Sequence, residues 1–272
     1  MKTIVITGST RGIGYSLARS FLEKGHRVVI NGRSRESVNE AVEKLSEIYP
    51  REQVLGQPAD VSQFADMQAL WQAARENWGQ VDIWINNAGI GSARENFWDL
   101  PPDWLDDVVS TNLTGMMYGC RVALRGMIEQ GGGEIYNMEG FGSDGRFMKG
   151  LLVYGTTKRA TRYLTDGLAQ EAADTPVIVG ALSPGMVVTD LLIEPYRRNP
   201  QGWERARRVF NILADRVEVV TPWLAEQILK NEENGAEIRW LTRWKITTRF
   251  LLAPFSRRDL FEGEGVPEKG EI

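Results

Sequence analysis

The β-branched run Thr3–Thr7 (TIVIT) leads directly into Thr7-Gly8-Ser9-Thr10-Arg11-Gly12-Ile13-Gly14, and that turn opens an amphipathic stretch, Gly14–Lys24. No other feature constrains the fold so strongly. A strand that turns straight into a helix does not form a hairpin, so its partner strand is reached by a crossover and lies parallel to it. The same alternation continues along the chain. Arg27–Ile30, Val54–Ala59, Val81–Ile85, Glu134–Asn137 and Val177–Ala181 read as strands, and Glu36–Ile48, Met67–Trp78, Trp104–Ile128 and Thr156–Ala173 as helices. Repeated units of this kind predict a parallel sheet covered by helices on both faces, with ligands beyond the C-terminal ends of its strands.

At 272 residues the chain suits one α/β domain of this doubly wound, Rossmann type. Residues 1–190 carry the regular alternation. From about Leu191 it gives way to a stretch rich in Trp, Arg and Pro, read as a C-terminal, substrate-binding elaboration over 191–258. The polar, glycine-containing residues 259–272 predict a loose tail. A net charge of −4 gives no reason to expect a nucleic-acid partner. His26 is the only histidine and Cys120 the only cysteine, which argues against a His/Cys metal site and a Ser-His-Asp triad. The single cysteine also excludes an intrachain disulfide and points to a reducing compartment. The start MKTIVITG reads as neither a signal nor a transit peptide, and no run of 18 apolar residues occurs, so the expected location is the cytoplasm.

Glycines at a strand–helix junction permit a tight turn and let the backbone approach a pyrophosphate, whose charge the helix N-terminus stabilises. Gly8, Ser9, Thr10, Arg11, Gly12, Ile13 and Gly14 therefore predict a dinucleotide site. The second strand ends Ile30-Asn31-Gly32-Arg33, without the acid that accepts from a ribose 2′-OH in NAD-selective sites. Arg33 and Arg11 instead offer guanidinium groups suited to a 2′-phosphate, so NADP(H) is expected over NAD(H).

Tyr154 and Lys158 stand four apart in Tyr154-Gly155-Thr156-Thr157-Lys158 and share one face of a helix. An unperturbed phenol, with a pKa of about 10, is a poor acid–base catalyst near neutrality, and a nearby ammonium is expected to bring it toward the working range. Two further motifs accompany the pair: Asn86-Asn87-Ala88-Gly89 after the fourth strand and Ser183-Pro184-Gly185-Met186-Val187-Val188-Thr189 after the sixth. Together with the turn, these make the chain resemble the short-chain dehydrogenase/reductase family over residues 1–189. The resemblance implies an oxidoreductase in which Tyr154 exchanges a proton with the substrate oxygen and Lys158 also holds the nicotinamide ribose. It implies that Asn112 anchors a water linked to the lysine and that Asp60 and Val61 contact the adenine. Asn87, Ala88, Gly89, Pro184, Gly185, Val187 and Thr189 complete the implied cofactor site. Relatives are commonly dimers or tetramers, so a homo-oligomer is expected.

One motif departs from the family. Where the family carries the second serine of N-x-S-S after the fifth strand, a hydrogen-bond donor to the reacting carbonyl, the chain reads Asn137-Met138-Glu139-Gly140-Phe141-Gly142-Ser143 and places Gly140. Ser143, in a glycine-rich loop, is the leading candidate for the missing hydroxyl, against the alternative that no serine takes part. This loop, with VYGTTK and SPGMVVTDLLI, resembles the chlorophyll(ide) b reductase branch, which implies NADPH reduction of a chlorin 7-formyl group to hydroxymethyl. Two alternatives stand beside it: a reductase or alcohol dehydrogenase for a smaller carbonyl, and a non-catalytic NADP(H)-binding sensor or pigment carrier. Trp203, Trp223, Trp240 and Trp244 suit a planar apolar ligand as well as ordinary packing. Arg239 to Arg258 holds six basic residues and no acid. That segment reads as a last strand with a solvated basic face, or as a peripheral contact with an anionic membrane.

Overall fold

A computed structural model describes the whole chain except residues 92, 94, 199, 256, 257, 262–264 and 269–272. Seven strands form one parallel sheet: β1 (Thr3–Ile6), β2 (Arg27–Gly32), β3 (Val54–Pro58), β4 (Ile83–Asn86), β5 (Gly133–Met138), β6 (Val177–Ser183) and β9 (Glu237–Arg239), in the order β3-β2-β1-β4-β5-β6-β9. Alternate side chains of each strand supply the two faces. Ile4 and Ile6 pack with Leu17 and Phe21 of α1 (Gly12–Glu23), Val38 of α2 (Arg35–Ser46) and Leu224 of α9 (Val217–Lys230). Val5, between them, packs on the opposite face with Met67 and Trp71 of α3 (Phe64–Trp78), Ala123 of α5 (Gly115–Gln130) and Ala169 of α6 (Leu152–Glu171). The fold is the expected doubly wound Rossmann-like single domain. Strand order reverses between β1 and β4, and the crevice opened there is where the glycine turn lies.

The expected helix Trp104–Ile128 is α4 (Pro102–Val109) and α5 joined by a single widened π-type turn, Ser110–Thr114. Such a turn inserts an extra residue into the helical ladder, and Asn112 lies at its centre.

The chain beyond residue 190 is more integral than an elaboration. It supplies β9, whose Ile238 pairs with Leu182 of β6, and α9, whose Thr221 hydroxyl lies 2.7 Å from Ser16 Oγ of α1. A boundary at residue 190 therefore does not divide the fold. The last strand expected at the start of the basic run is β9, which lies slightly earlier, at Glu237–Arg239, and is short as edge strands are. α7 (Asp190–Arg198) and α8 (Trp203–Leu213) form a satellite core with Val188, Ile193, Trp203, Phe210 and Phe261. The expected loose tail begins by docking here. Phe261 packs edge-on against Trp203 with ring centroids 5.0 Å apart, and Arg197 donates to the carbonyls of Pro267 and Glu268. Leu260 and Val266 pack against the same cluster, and residues 262–264 and 269–272 of the tail lie outside the described residues.

Part of the basic run turns inward. Arg249 and Arg258 both pair with buried Asp215, which also accepts from Trp240 Nε1 at 2.7 Å, and Lys245 Nζ lies 3.1 Å from the centre of the Trp240 ring. Helix α10 (Arg243–Leu252) has no buried side chain and leaves Trp244 exposed. Among the described residues no helix is long and apolar enough to cross a membrane. Phe261→Ala is expected to lower the unfolding free energy by roughly 3–5 kcal/mol, the usual result of deleting a buried ring. Urea denaturation measures it, and a change within about 0.5 kcal/mol would mean the tail is undocked.

Candidate active site

Thr7 is the joint at the crevice. Its Oγ1 accepts from the backbone N–H groups of Asn87 and Ala88, both at 3.0 Å, and Asn87 Nδ2 donates to the carbonyls of Thr7 and Gly8 at 2.9 and 3.0 Å. Gly8 has a left-handed φ of 61°, and a Cβ there would lie 2.8 Å from Ala88 Cα. Neither the conformation nor the space admits a side chain. From β2, Asn31 supports the turn from below: Oδ1 accepts from Gly8 N at 3.1 Å and its carbonyl from Ser9 N at 2.8 Å. Asn31 also donates to the carbonyls of Gln57 and Ala59, tying β3 to the same point. This role was missed in the sequence, although a lone amide in a buried, β-branched strand was the available signal.

The other cofactor candidates gather around this cradle. The Thr189 methyl lies 3.7 Å from where a Gly12 Cβ would stand, so the Pro184–Thr189 segment reaches the turn. Val187 is buried and pairs with Asp215 in a two-stranded ribbon of β7 (Val187–Val188) and β8 (Asp215–Arg216). Pro184 is buried, and Gly185 sits against Leu241. Gly89 sits against Asn112. Ile13 packs on the core, while Thr10 leans over Gly32. Arg11 and Arg33 are exposed and form no ion pair among the described residues. Asp60 is less available, since its carboxylate accepts from the N–H and hydroxyl of Ser62 at 2.9 and 2.8 Å, and Val61 is buried against Gly115. A glycine-rich turn at a helix N-terminus, with the exposed guanidinium groups of Arg11 and Arg33 beside it, fits the phosphates of a dinucleotide.

Helix α6 begins at Leu152, four residues before its expected start, which places Tyr154 in its first turn and Lys158 one turn later. Lys158 is buried; Nζ donates to the Met138 carbonyl at 2.9 Å and lies 5.7 Å from the centre of the Tyr154 ring. Burial lowers the Lys158 pKa to about 8, opposed by the charge of Glu139. Burial also pushes the Tyr154 phenol up to about 12. The expected lowering of the phenol by its ammonium neighbour is therefore corrected. Desolvation outweighs it, and the ammonium is hydrogen-bonded to Met138. Asn112 braces the pair from the widened turn: Oδ1 accepts from Ile90 N at 2.8 Å, and Nδ2 donates to Ile90 O and, at 3.3 Å, to Thr157 Oγ1 beside Lys158.

The departing loop closes around these groups. A Cβ at Gly140 would stand 2.3 Å from the Tyr154 hydroxyl and 3.2 Å from Lys158 Cε. The space a serine would take at this position is filled by the phenol. Ser143 is buried, and its hydroxyl donates to Glu139 Oε2 at 3.4 Å while its carbonyl accepts from Arg159. The structure thus brings Ser143 to Glu139.

At the start of the Tyr154 helix, Leu152 and Val153 line a mainly apolar cleft of about 140 Å³ together with Phe97, Trp98, Trp104 and Phe147, with Glu95 and Lys149 also on its wall. Trp98 and Phe147 are 79% and 72% exposed, high values for large apolar rings. The tryptophans singled out in the sequence lie elsewhere. Trp203 is in the satellite core, Trp223 and Trp240 stack edge-on, and Trp244 projects from α10. Trp98 lies in a single 3-10 turn, Phe97–Asp99, and Phe147 in an irregular loop, with no periodicity to mark either.

Residues 2–199 match the short chain dehydrogenase family, and the chain belongs to it. It is similar to the chloroplastic chlorophyll(ide) b reductase NOL of Arabidopsis thaliana, with 40% identity over 257 residues that cover 91% of this chain and 72% of that one. Two solved structures share its fold with a TM-score of 0.75. One is a serine dehydrogenase complexed with NADP+ (25% identity; 88% of this chain, 94% of that one). The other is a 3-ketoacyl-(acyl-carrier-protein) reductase of Brucella melitensis complexed with NADH (27%; 88% and 96%). The protein is an oxidoreductase that uses a nicotinamide cofactor. The expected cytoplasmic location is overturned, because the Arabidopsis relative is chloroplastic.

Gly140→Ser, which restores the family's side chain, is expected to lower kcat on the order of 100-fold by displacing the Tyr154 hydroxyl. A rise in kcat would show that the phenol yields. The depressed Lys158 pKa has a consequence for stability. The unfolded chain holds this proton up to its ordinary 10.5 while the folded chain releases it near 8, so stability rises with pH between those values. Unfolding free energies of the wild type, taken relative to Lys158→Met across that window, are expected to show this rise.

Proposed function

We propose that the protein is an NADPH-dependent reductase that converts the 7-formyl group of chlorophyll b or chlorophyllide b to hydroxymethyl. The observation that carries this reading is the apolar, aromatic-rimmed cleft of Phe97, Trp98, Trp104 and Phe147, which Leu152 and Val153 at the start of the Tyr154 helix also line. A flat hydrophobic ring system gains most from burying aromatic surface, while a sugar or short polar carbonyl gains little. The similarity to the Arabidopsis chlorophyll(ide) b reductase supports it.

Residues Gly8 to Gly14 would hold the pyrophosphate at the α1 N-terminus, and Arg11 and Arg33 would hold a 2′-phosphate, which supports NADPH. Asn87, Ala88, Gly89, Gly185, Val187 and Thr189 complete the walls, and Lys158 holds the nicotinamide ribose. When bound, the nicotinamide supplies the hydride that reduces the formyl carbon. Tyr154 donates its phenolic proton to the formyl oxygen. Its raised pKa keeps the proton in place until alkoxide character develops. An alkoxide is a stronger base than a phenolate, so the transfer is downhill. The phenolate left behind is stabilised by the Lys158 ammonium one turn along. Asn112, through Thr157, keeps that turn fixed against the loop after β4. An aldehyde needs one hydride and one proton, and Tyr154 with Lys158 provides the whole proton requirement.

Incubation with NADPH and chlorophyll b or chlorophyllide b is expected to give the 7-hydroxymethyl pigment, followed by chromatography and absorption. NADPH oxidation by small aldehydes alone would favour the smaller-carbonyl reading, and pigment binding without product the carrier reading. Tyr154→Phe is expected to bind NADPH as the wild type does and to lose turnover by roughly 10²–10⁴-fold. Undiminished turnover would overturn the assignment of the proton donor.

A further inference from the structure

Glu139 is the least solvated acid near Tyr154 and Lys158. Its side chain is 0% exposed, and its N–H donates to the Leu182 carbonyl at 2.8 Å, extending the β5–β6 pairing by one residue. A carboxylate withdrawn from water requires close partners to replace its hydration. The partners of Glu139 are distant ones. Arg162 stands 3.3 Å from Glu139, but 2.8 Å from Asp166 and 3.1 Å from Glu237. Arg239 stands 3.9 Å from Glu139 and much closer to Glu237. Each arginine thus reaches Glu139 at the longest of its carboxylate distances. The Ser143 hydroxyl, at 3.4 Å, is a long contact as well. Glu139 stands between two residues that touch Lys158: Met138, whose carbonyl accepts from the ammonium, and Gly140, where a Cβ would lie 3.2 Å from Lys158 Cε. Its buried charge is therefore set beside a buried cation.

We propose that Glu139 is a positioning residue for the proton transfer, acting on Lys158 through its buried charge and on the Ser143 hydroxyl as its acceptor. This rests on Tyr154 and Lys158 being the proton-transfer pair. The neighbours of Lys158 leave the task to Glu139. α6 contributes Tyr154, Arg159, Arg162 and the solvent-facing Asp166; the loop after β5 contributes Glu139 and the mutually paired Asp144 and Arg146; β9 contributes Arg239 and its partner Glu237. The widened turn and β5 face it with the neutral Asn112 and Asn137. Of all these, Glu139 is the group that raises Lys158 against the lowering by burial. The same residue that departs from the family's serine motif therefore carries a compensating duty. With no side chain at Gly140, the site relies on a charged Lys158 behind the phenol, and Glu139 sustains that charge.

The test follows Lys158 directly. In full-length protein carrying 13C-labelled lysine, the Lys158 Cε resonance is assigned by its absence in Lys158→Arg and titrated with pH. Glu139→Gln is expected to shift its midpoint to lower pH, and Glu139→Asp to bring it back toward the wild-type value. Arg239→Gln, which removes a cation from the other side of Glu139, is expected to shift it upward, and serves even where Glu139→Gln does not fold. Activity with an aldehyde that the wild type reduces is expected to follow. The alkaline limb of kcat moves to lower pH in Glu139→Gln with the KM for NADPH unchanged. A Lys158 midpoint that is unmoved in Glu139→Gln, or in Arg239→Gln where Glu139→Gln does not fold, overturns the proposal, even with Tyr154→Phe inactive. A moved midpoint with Tyr154→Phe fully active sustains the Glu139–Lys158 coupling and overturns the proton-donor reading beneath it.

Discussion

The site hangs on the hydrogen bonds that Thr7 makes across the sheet to Asn87 and Ala88. They join the ends of β1 and β4 at the point where strand order reverses, so the crevice has a fixed width before any ligand enters. Gly8 is pressed against Ala88, and the Asn87 amide grips the Thr7 and Gly8 carbonyls. The N-terminus of α1 is aimed as a consequence. The same joint reaches the chemistry. Beyond Ala88 the chain passes through Ile90, whose N–H and carbonyl are both held by Asn112, and Asn112 in turn touches Thr157 beside Lys158. The glycine turn and the Tyr154–Lys158 pair are thus joined by one connected hydrogen-bond network.

Within that frame the reacting groups are set by burial more than by pairing. Tyr154 and Lys158 each shift away from their charged forms because the loop from Glu139 to Gly150 and the start of α6 exclude water. A phenol so held is a proton reservoir suited to an alkoxide, and an ammonium so held needs a nearby carboxylate to stay charged. Gly140 and Glu139 answer both needs in adjacent positions. One leaves room for the phenol, and the other is a buried carboxylate next to the Met138 carbonyl that accepts from Lys158.

The C-terminal third shows how a chain of mixed aromatic and basic residues is used. Trp203 and Phe261 build a satellite core, Trp223 and Trp240 stack together, and Arg249 and Arg258 converge on Asp215. These residues fix the far wall of the molecule and β9. The aromatic rings that face the cleft come from two loops of the N-terminal two-thirds instead, around Trp98 and Phe147.

Much of this was legible in order along the chain. The strands from β1 to β6 are short segments centred on apolar, mostly β-branched residues, and the glycine turn and the Tyr154–Lys158 spacing are local patterns, so periodicity and spacing reveal them without knowledge of distant segments. The parallel sheet, the crevice and the shared helical face of the pair follow from the sequence by itself, because a crossover connection and a 3.6-residue period leave little choice. What only the tertiary structure decided depends on which distant group fills a space first. Asn31 is called under Gly8 by β3, Ser143 turns to Glu139, Glu139 is shared among arginines from α6 and β9, and the Tyr154 hydroxyl occupies the volume of a side chain that Gly140 lacks. Buried polar groups take whatever partner packing brings within reach, and that partner is set by the fold, not by neighbours in sequence.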